Sequence, residues 1–546
     1  MMISELEGIK ILASEGVTRQ SWHGPLNTVQ KGSPAVQQAL NALTKPVFVV
    51  GERGTAGVTN EGELKPSNGQ AGLEMWAFAP AVRLEQLGDP GFNHTYGARY
   101  AYMAGAMANG IASVELVVAL GKAGMLGSFG AAGMVPPRLE SAIQGVQEAL
   151  PNGPCAFNLI HSPSEEAMER SAVDLYMKYK IRVVEASAFL DLTPSVVYYR
   201  AAGLSLSAEG KIQIQNRVII KLSRKEVATK FMSPAPERIL SQLVAEGKVS
   251  EVQARLAQQV PVADDVTIEA DSGGHTDNRP LVVLLPTMLS LRDELQQKYK
   301  FDTPVRVGAG GGISTPAAVL GAFMMGAAYV VTGSVNQACV EAGASAHTKK
   351  LLAQASMTDV TMAPSADMFE MGVKVQVLKN GTFFPMRAQK LYELYSRFDS
   401  VEALPADERD KLEKQVFKRD MESIWQDTVK FFMERDPDQI TRANSNPKRK
   451  MALIFRWYLG LSSRWSNAGE MGREMDYQIW CGPSIGSFND WTKGTYLALP
   501  ENRKAADVGL QLMTGAAYLW RVQQLKLQGV QFAAGVEQYR PERPLV

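Results

Sequence analysis

The chain has 546 residues, 45% of them hydrophobic and 21% charged, with a formal net charge of +1. That length allows more than one domain around a large core, and the near-neutral balance lacks the basic face that nucleic-acid binders carry. Gly and polar residues interrupt each apolar run before it reaches membrane-spanning length, and the acidic N-terminus has no secretory pattern, so neither a membrane nor an export route is expected.

Residues 1 to 98 read as an N-terminal extension punctuated by Gly and Pro, with one clear strand at Pro46–Val50 and a polar loop, TNEGELKPSNGQ. From 99 to 350, short β-type runs alternate with helical text. The expected strands are Tyr100–Met103, Leu126–Phe129, Ala156–Ile160, Arg182–Glu185, Val218–Lys221, Asp265–Ile268, Val305–Val307 and Tyr329–Val331. Helix-compatible segments such as PPRLESAIQGVQEAL and TPAAVLGAFMMG separate them. Eight such units in roughly 250 residues predict an α/β fold, a closed (β/α)8 TIM barrel, ahead of an open dinucleotide-binding sheet. No early GxGxxG with a downstream acidic residue supports the open sheet.

Residues 351 to 546 form a C-terminal region that reads as a hairpin, VKVQVLKNGTFFPMR turning at Asn380-Gly381, followed by charged helical text. Its aromatic residues (Trp425, Phe431, Phe432, Phe455, Trp457, Tyr458, Trp465, Trp480, Trp491) suit a core, with an apolar substrate wall as the second reading. Cys155, Cys339 and Cys481 lie far apart and make no disulfide framework, and the five histidines show no metal-ligand spacing. A reducing, cytoplasmic setting is the simplest expectation.

The strongest chemical signal is VRVGAGGGISTPAAVLGAFMMGAAYVVTGSV, residues 305 to 335. It reads as strand, glycine loop, helix, strand and a second glycine turn. Thr315 and Pro316 open the helix. Gly310, Gly311 and Gly312, with Gly333 and Ser334 one helix later, offer bare backbone N–H groups where a barrel holds phosphate, after its last two strands. Other strand ends converge on the same mouth: Gly105, Ala106 and Met107, then Asn158 and His161, Glu185, Lys221, and Asp271-Ser272-Gly273-Gly274-His275. A cation and an amide over a flat, phosphate-anchored ring suit a flavin. On this reading Lys221 is the cation, Asn158 the amide, and His275 the proton donor or hydrogen-bonding group. Glu185 is an acid or a partner for Lys221, and His161 lines substrate or serves structure.

The strings AGAMANG, LGKAGMLGSFG, FNLIHSP, ADSGGHTDN, GAGGGIS and VTGSVNQ resemble the flavin enoyl reductase and nitronate monooxygenase superfamily. Nearly the whole chain is similar to the trans-acting enoyl reductases of polyunsaturated fatty acid and polyketide synthases, the PfaD family. FEMGVKVQVLKNGTFFPMRAQKLYELY and WCGPSIGSFNDW carry that closer likeness. The resemblance implies FMN on a TIM barrel, NADPH as hydride source and an enoyl thioester on acyl carrier protein as substrate. It matches His275 to the catalytic histidine and Gly311, Gly312, Gly333 and Ser334 to phosphate contacts. Gly105, Ala106 and Met107 match its first-strand backbone contacts, and the C-terminal helices correspond by analogy to a lid or docking part. Oxidation of nitronates with FMN and oxygen is the alternative, and a homo-oligomer is left open. An acidic carrier would seek a basic run such as KLSRK or Asn446–Lys450, although such runs are usually solvated faces.

Overall fold

Eight parallel strands close into a barrel in chain order. They are β1 (Tyr102–Ala104), β2 (Leu126–Phe129), β3 (Cys155–Ile160), β4 (Val183–Ser187), β5 (Arg217–Leu222), β6 (Asp265–Glu269), β7 (Arg306–Gly310) and β8 (Val330–Thr332). β8 closes the ring on β1, with Val330 opposite Tyr102. The computed structural model describes residues 9–11, 20–52, 55–66, 73–161 and 166–546. Each expected barrel strand is present, shifted by up to three residues at an end. Parallel strands are buried on both faces, which is why they read as continuous apolar runs.

The two ends of the barrel differ in kind. At the N-terminal end, Arg306 forks onto Asp265 at 2.7 and 2.8 Å, Tyr96 donates to the same carboxylate, and Asp264 takes Arg200 and Arg217 at 2.7 Å each. A short helix, Pro90–Tyr96, plugs this end, stacking Phe92 on Tyr329 at 4.2 Å. Charge is paired there and the end is sealed. The C-terminal end carries glycines and unpaired polar groups instead.

The helix α1 (Pro316–Met324) starts as its sequence predicts: Thr315 Oγ1 accepts the Ala318 N–H and Pro316 fills the first turn. β7 runs through Gly308 and Gly310, so the glycine loop begins later than expected. The reason is packing: a Cβ on Gly308 would lie 2.4 Å from the Tyr329 ring.

The N-terminal extension holds a five-stranded antiparallel sheet rather than one strand. Val47–Glu52 lies inside it, and Glu63–Pro66, read as loop, is an edge strand beside Gln20–His23. An edge strand needs only one partner and tolerates polar residues, which hid it. The last four residues of that polar stretch, 67–70, lie outside the described residues.

The expected C-terminal hairpin does not form. Lys374–Leu378 pairs backwards with Val360–Pro364 and with Gly274–His275, not forwards across Asn380-Gly381. Past that turn, Phe384-Pro385 opens α2 (Phe384–Arg397), with proline in its first turn. α2, α3 (Met421–Arg435) and α4 (Pro447–Ala468) share a second core that includes Phe384, Leu391, Ile424, Phe455 and Tyr458. α5 (Ser484–Thr492) leads to α6 (Ala505–Leu527), which returns to the barrel and seats Gly515 against Pro316 of α1.

α6 also locks the N-terminal extension. The fully buried Arg521 donates to the backbone carbonyls of Ala39, Leu40, Ala42, Leu43, Lys45 and Pro80. Arg521→Ala leaves those acceptors without a donor. It is expected to cost about 3 kcal/mol or more, read as a lowered urea midpoint.

Candidate active site

The strand ends of the barrel, the DSGGH loop and the faces of α3 and α4 enclose one cavity of about 670 Å3. That volume suits a cofactor-sized ligand with room beside it. Gly105, Ala106, Met107, Asn158, Lys221, Gly274, His275, Gly310, Gly311, Gly312, Gly333 and Ser334 all line it. The fold therefore brings these strand ends together around one space, whereas His161, Glu185 and Asp271, expected at the same mouth, do not line it.

The glycine loops make an open cradle. Gly311 has φ +84° and a Cβ there would lie 2.7 Å from the Ala270 backbone, so only glycine fits. A Cβ on Gly312 or Gly333 would instead meet nothing within 4 Å. Among the described residues, the N–H groups of Gly312 and Gly333 donate to no protein acceptor. Ser334 Oγ accepts the Gly482 N–H at 3.0 Å, and the buried Ser272 Oγ beside it has no partner. Unused N–H donors, an orphaned hydroxyl and empty space over two glycines fit the phosphate of FMN.

At the first-strand end two of the three expected backbone donors are already used. The Gly105 N–H goes to Thr332 O at 3.0 Å and the Ala106 N–H to Glu185 Oε2 at 2.7 Å. Asn158 spends its amide N–H groups on Glu185 O and Ser187 Oγ, both at 2.9 Å. What Asn158 can offer a ligand is its carbonyl oxygen, an acceptor suited to a ring N–H.

Lys221 does not run out to solvent. Its ammonium sits 3.7 Å from Glu185 Oε1, with its side chain 15% exposed. Burial pulls its pKa down, but Glu185 and Glu269 outweigh burial and hold it above the usual lysine value. Burial raises the Glu269 carboxyl, while Lys221 works against that rise. Lys221 is thus a fixed cation in the cavity wall, partnered as the sequence reading allowed.

His275 lies in a two-residue strand, Gly274–His275, paired with Gln376 and Val375. Gln376 Nε2 donates to Asp271 Oδ1 at 2.7 Å and Ser272 O at 2.8 Å, so one side chain holds the whole loop. Gly273 packs against Cys481, where a Cβ would lie 2.7 Å from Cα. The C-terminal region, through Gln376 and the WCGPS segment, therefore builds part of the barrel's mouth. His275 Nε2 lies 3.2 Å from Asp367 Oδ2 as an ion-pair contact, off the line of a hydrogen bond. Burial lowers the imidazole pKa, but Asp367 and Glu269 outweigh it and the net shift is upward. Asp367 is raised by burial yet held down at about 2 by His275.

His161 stands apart. Its Nδ1 pairs with Glu169 Oε2 at 2.7 Å and its ring stacks on Phe189 at 5.3 Å, a structural role. The basic run at Asn446–Lys450 is tied down as well. Lys448 Nζ donates to Phe398 O at 2.5 Å and covers Tyr395, Arg449 donates to Gln439 at 2.6 Å, and Lys450 lies over Trp425. Arg224 of the other run forks onto Asp277 at 3.0 Å.

The C-terminal aromatics divide between the two readings. Phe455 and Tyr458 are core, whereas Phe431, Phe432, Trp457 and Trp480 line the cavity. Along α4, Leu453, Arg456, Trp457, Gly460, Leu461 and Arg464 face the cavity at helical spacing, a stripe the sequence reading missed. Glu269 was missed too, although alternation along β6 places it beside Thr267 on the cavity side.

Residues 97–416, more than half of the chain, match the nitronate monooxygenase family. Residues 22–81 match the N-terminal domain of the fatty acid synthase subunit PfaD. The chain belongs to the nitronate monooxygenase family, in its PfaD-type enoyl reductase branch. Residues 398–477 also match the inserted helical domain of acyl-carrier-protein S-malonyltransferase. The enoyl reductase domain of MlnA, from the macrolactin cluster of Bacillus amyloliquefaciens, superposes with a TM-score of 0.77. It shares 38% identity over 82% of this chain and all of that one. A polyunsaturated fatty acid synthase subunit of Thraustochytrium sp. is 50% identical over 85% of this chain and 32% of its own length. Polyketide biosynthesis protein PksE of Bacillus subtilis is 46% identical over 80% of this chain and 57% of its own. The chain thus spans about a third to just over half of these two curated relatives. No helix among the described residues is long and apolar enough to cross a membrane.

Proposed function

We propose that this chain is an FMN-dependent enoyl reductase that consumes NADPH and saturates the 2,3 double bond of acyl thioesters on carrier protein, in trans, within a polyunsaturated fatty acid or polyketide synthase. The observation that carries the reading is the cradle of free Gly312 and Gly333 N–H groups in the same cavity as His275. The PfaD-type kinship, and relatives described as a polyunsaturated fatty acid synthase subunit and a polyketide biosynthesis protein, support the carrier-bound substrate. The fit to a malonyltransferase's helical insert lends α3 and α4 a carrier-facing role. Three free cysteines accord with a cytoplasmic setting.

Gly311, Gly312, Gly333 and Ser272 would hold the phosphate of FMN, and Asn158 and Lys221 its ring. Bound there, FMN would supply hydride transfer from NADPH to the β-carbon of the enoyl thioester. The Lys221 ammonium lies in the wall beside Glu185 and would stabilise negative charge on that ring. His275 donates a hydrogen bond to the thioester oxygen as charge develops there, and places a proton for the α-carbon. Phe431, Phe432, Trp457 and Trp480 exclude water and give an acyl chain an apolar wall.

The test is anaerobic. Stoichiometric NADPH should bleach the flavin band, and a carrier-bound 2-enoyl thioester should restore it with one saturated acyl group formed per NADPH. Turnover of a nitronate with oxygen, with no response to the enoyl thioester, would replace this reading with nitronate oxidation. The cavity is far larger than a small nitronate needs.

A further inference from the structure

Asp367 sits outside the barrel, in the turn between Val360–Pro364 and Lys374–Leu378. Those two strands and Gly274–His275 form one three-stranded sheet. Val375 is the shared register point, opposite both His275 and Ala363. The turn is pinned at both sides: the Ser365 N–H donates to Val373 O at 2.9 Å, and Ser365 Oγ accepts the Met368 N–H at 3.3 Å. Phe369, just beyond, is fully buried in the second core. A rigid scaffold thus delivers the Asp367 carboxylate to 3.2 Å from His275 Nε2, and both residues line the cavity.

We propose that Asp367 is the positioning residue of the site, orienting the His275 ring and keeping it an imidazolium through a carboxylate that the C-terminal region supplies to the barrel. The proposal rests on the reading of His275 as the hydrogen-bond and proton donor. An imidazolium has a proton on each nitrogen, so it can turn one to Asp367 and donate with the other. An imidazole without this partner would be mostly neutral at physiological pH, since the ordinary histidine value is about 6.5.

The other charged groups are accounted for. Glu269 at the end of β6 favours the cation, and Lys221 at the end of β5 opposes it. Asp427 from α3 and Arg456 and Arg464 from α4 line the same cavity. Burial opposes the cation, and Asp367 is the largest influence in its favour. Because the folded value is raised, the imidazolium persists to higher pH and is lost as pH rises through that value. Activity that needs it follows the same curve.

The experiment reads His275 directly in the full-length holoprotein. Histidine ring carbons are labelled, and the resonance absent from His275→Gln is assigned to residue 275. In the unsubstituted protein its titration midpoint should lie above about 6.5, and in Asp367→Asn it should fall by about one pH unit or more. The alkaline limb of kcat/KM for enoyl reduction should move down with it, with losses that widen as pH rises, and Asp367→Glu should restore part of the shift. A midpoint at or below the ordinary histidine value in the unsubstituted protein overturns the proposal whether or not the variants fold. So does an unmoved midpoint in Asp367→Asn. If His275→Gln reduces enoyl thioesters at the unsubstituted rate at every pH, the donor reading of His275 fails, a result separate from the Asp367 titration.

Discussion

His275→Gln is expected to lower kcat for enoyl reduction by about 10²- to 10⁴-fold, while the purified variant keeps its flavin. Glutamine retains much of the size and one donor of the ring but carries no titrating proton. His275 lies on Gly274–His275, and its loop is fixed by Gln376 and by Gly273 against Cys481, so the backbone survives the change. The glycine donors of the proposed phosphate cradle follow β7 and β8, on other elements. Binding and chemistry should therefore separate: the flavin band persists, the first reduction by NADPH persists, and reoxidation by enoyl thioester slows. The alkaline limb of the pH profile, which follows the raised histidine pKa, should vanish with the ring. Stopped-flow absorbance in the two half-reactions measures both effects.

Gly333→Asp should give the opposite separation, with loss of cofactor and retention of fold. The φ of Gly333 is −129°, outside the left-handed region, and an added Cβ meets nothing within 4 Å. The new carboxylate would enter the space proposed for a phosphate dianion, and repel it. It would also compete for the same backbone donors. Hydrogen bonds to charged groups contribute about 1.5–3 kcal/mol each, so loss of two corresponds to a weakening of about 10²-fold or more. The variant should purify colourless with an unchanged far-UV spectrum. Gly311→Asp would be a poorer test, because the Ala270 backbone leaves no room there.

The parts of this site that lie on single strands or loops were readable in the chain. Barrel strands buried on both faces leave apolar runs, Thr315-Pro316 marks a helix start, and glycine runs mark the cradle. What depends on pairing between distant segments was not readable. Asp367 has no spacing signal in APSADMFEMG, and reaches His275 only because Val375 pairs with both neighbours. Asn380-Gly381 is a sound turn signal, but Phe384-Pro385 four residues on starts a helix that removes the second strand. On α4, both faces are covered, one by the second core and one by the cavity wall. Apolarity alone therefore does not separate Tyr458 from Trp457. The mixed cationic and aromatic stripe from Leu453 to Arg464 is the trace that does.

The central claim is that backbone donors after β7 and β8 grip the phosphate of a flavin. Its most direct test is a calorimetric titration of flavin-stripped protein with FMN and with riboflavin, which differ only by that phosphate. The account predicts one FMN per chain, bound at least about 100-fold more tightly than riboflavin. Equal affinities for the two, or no binding of either, would contradict it.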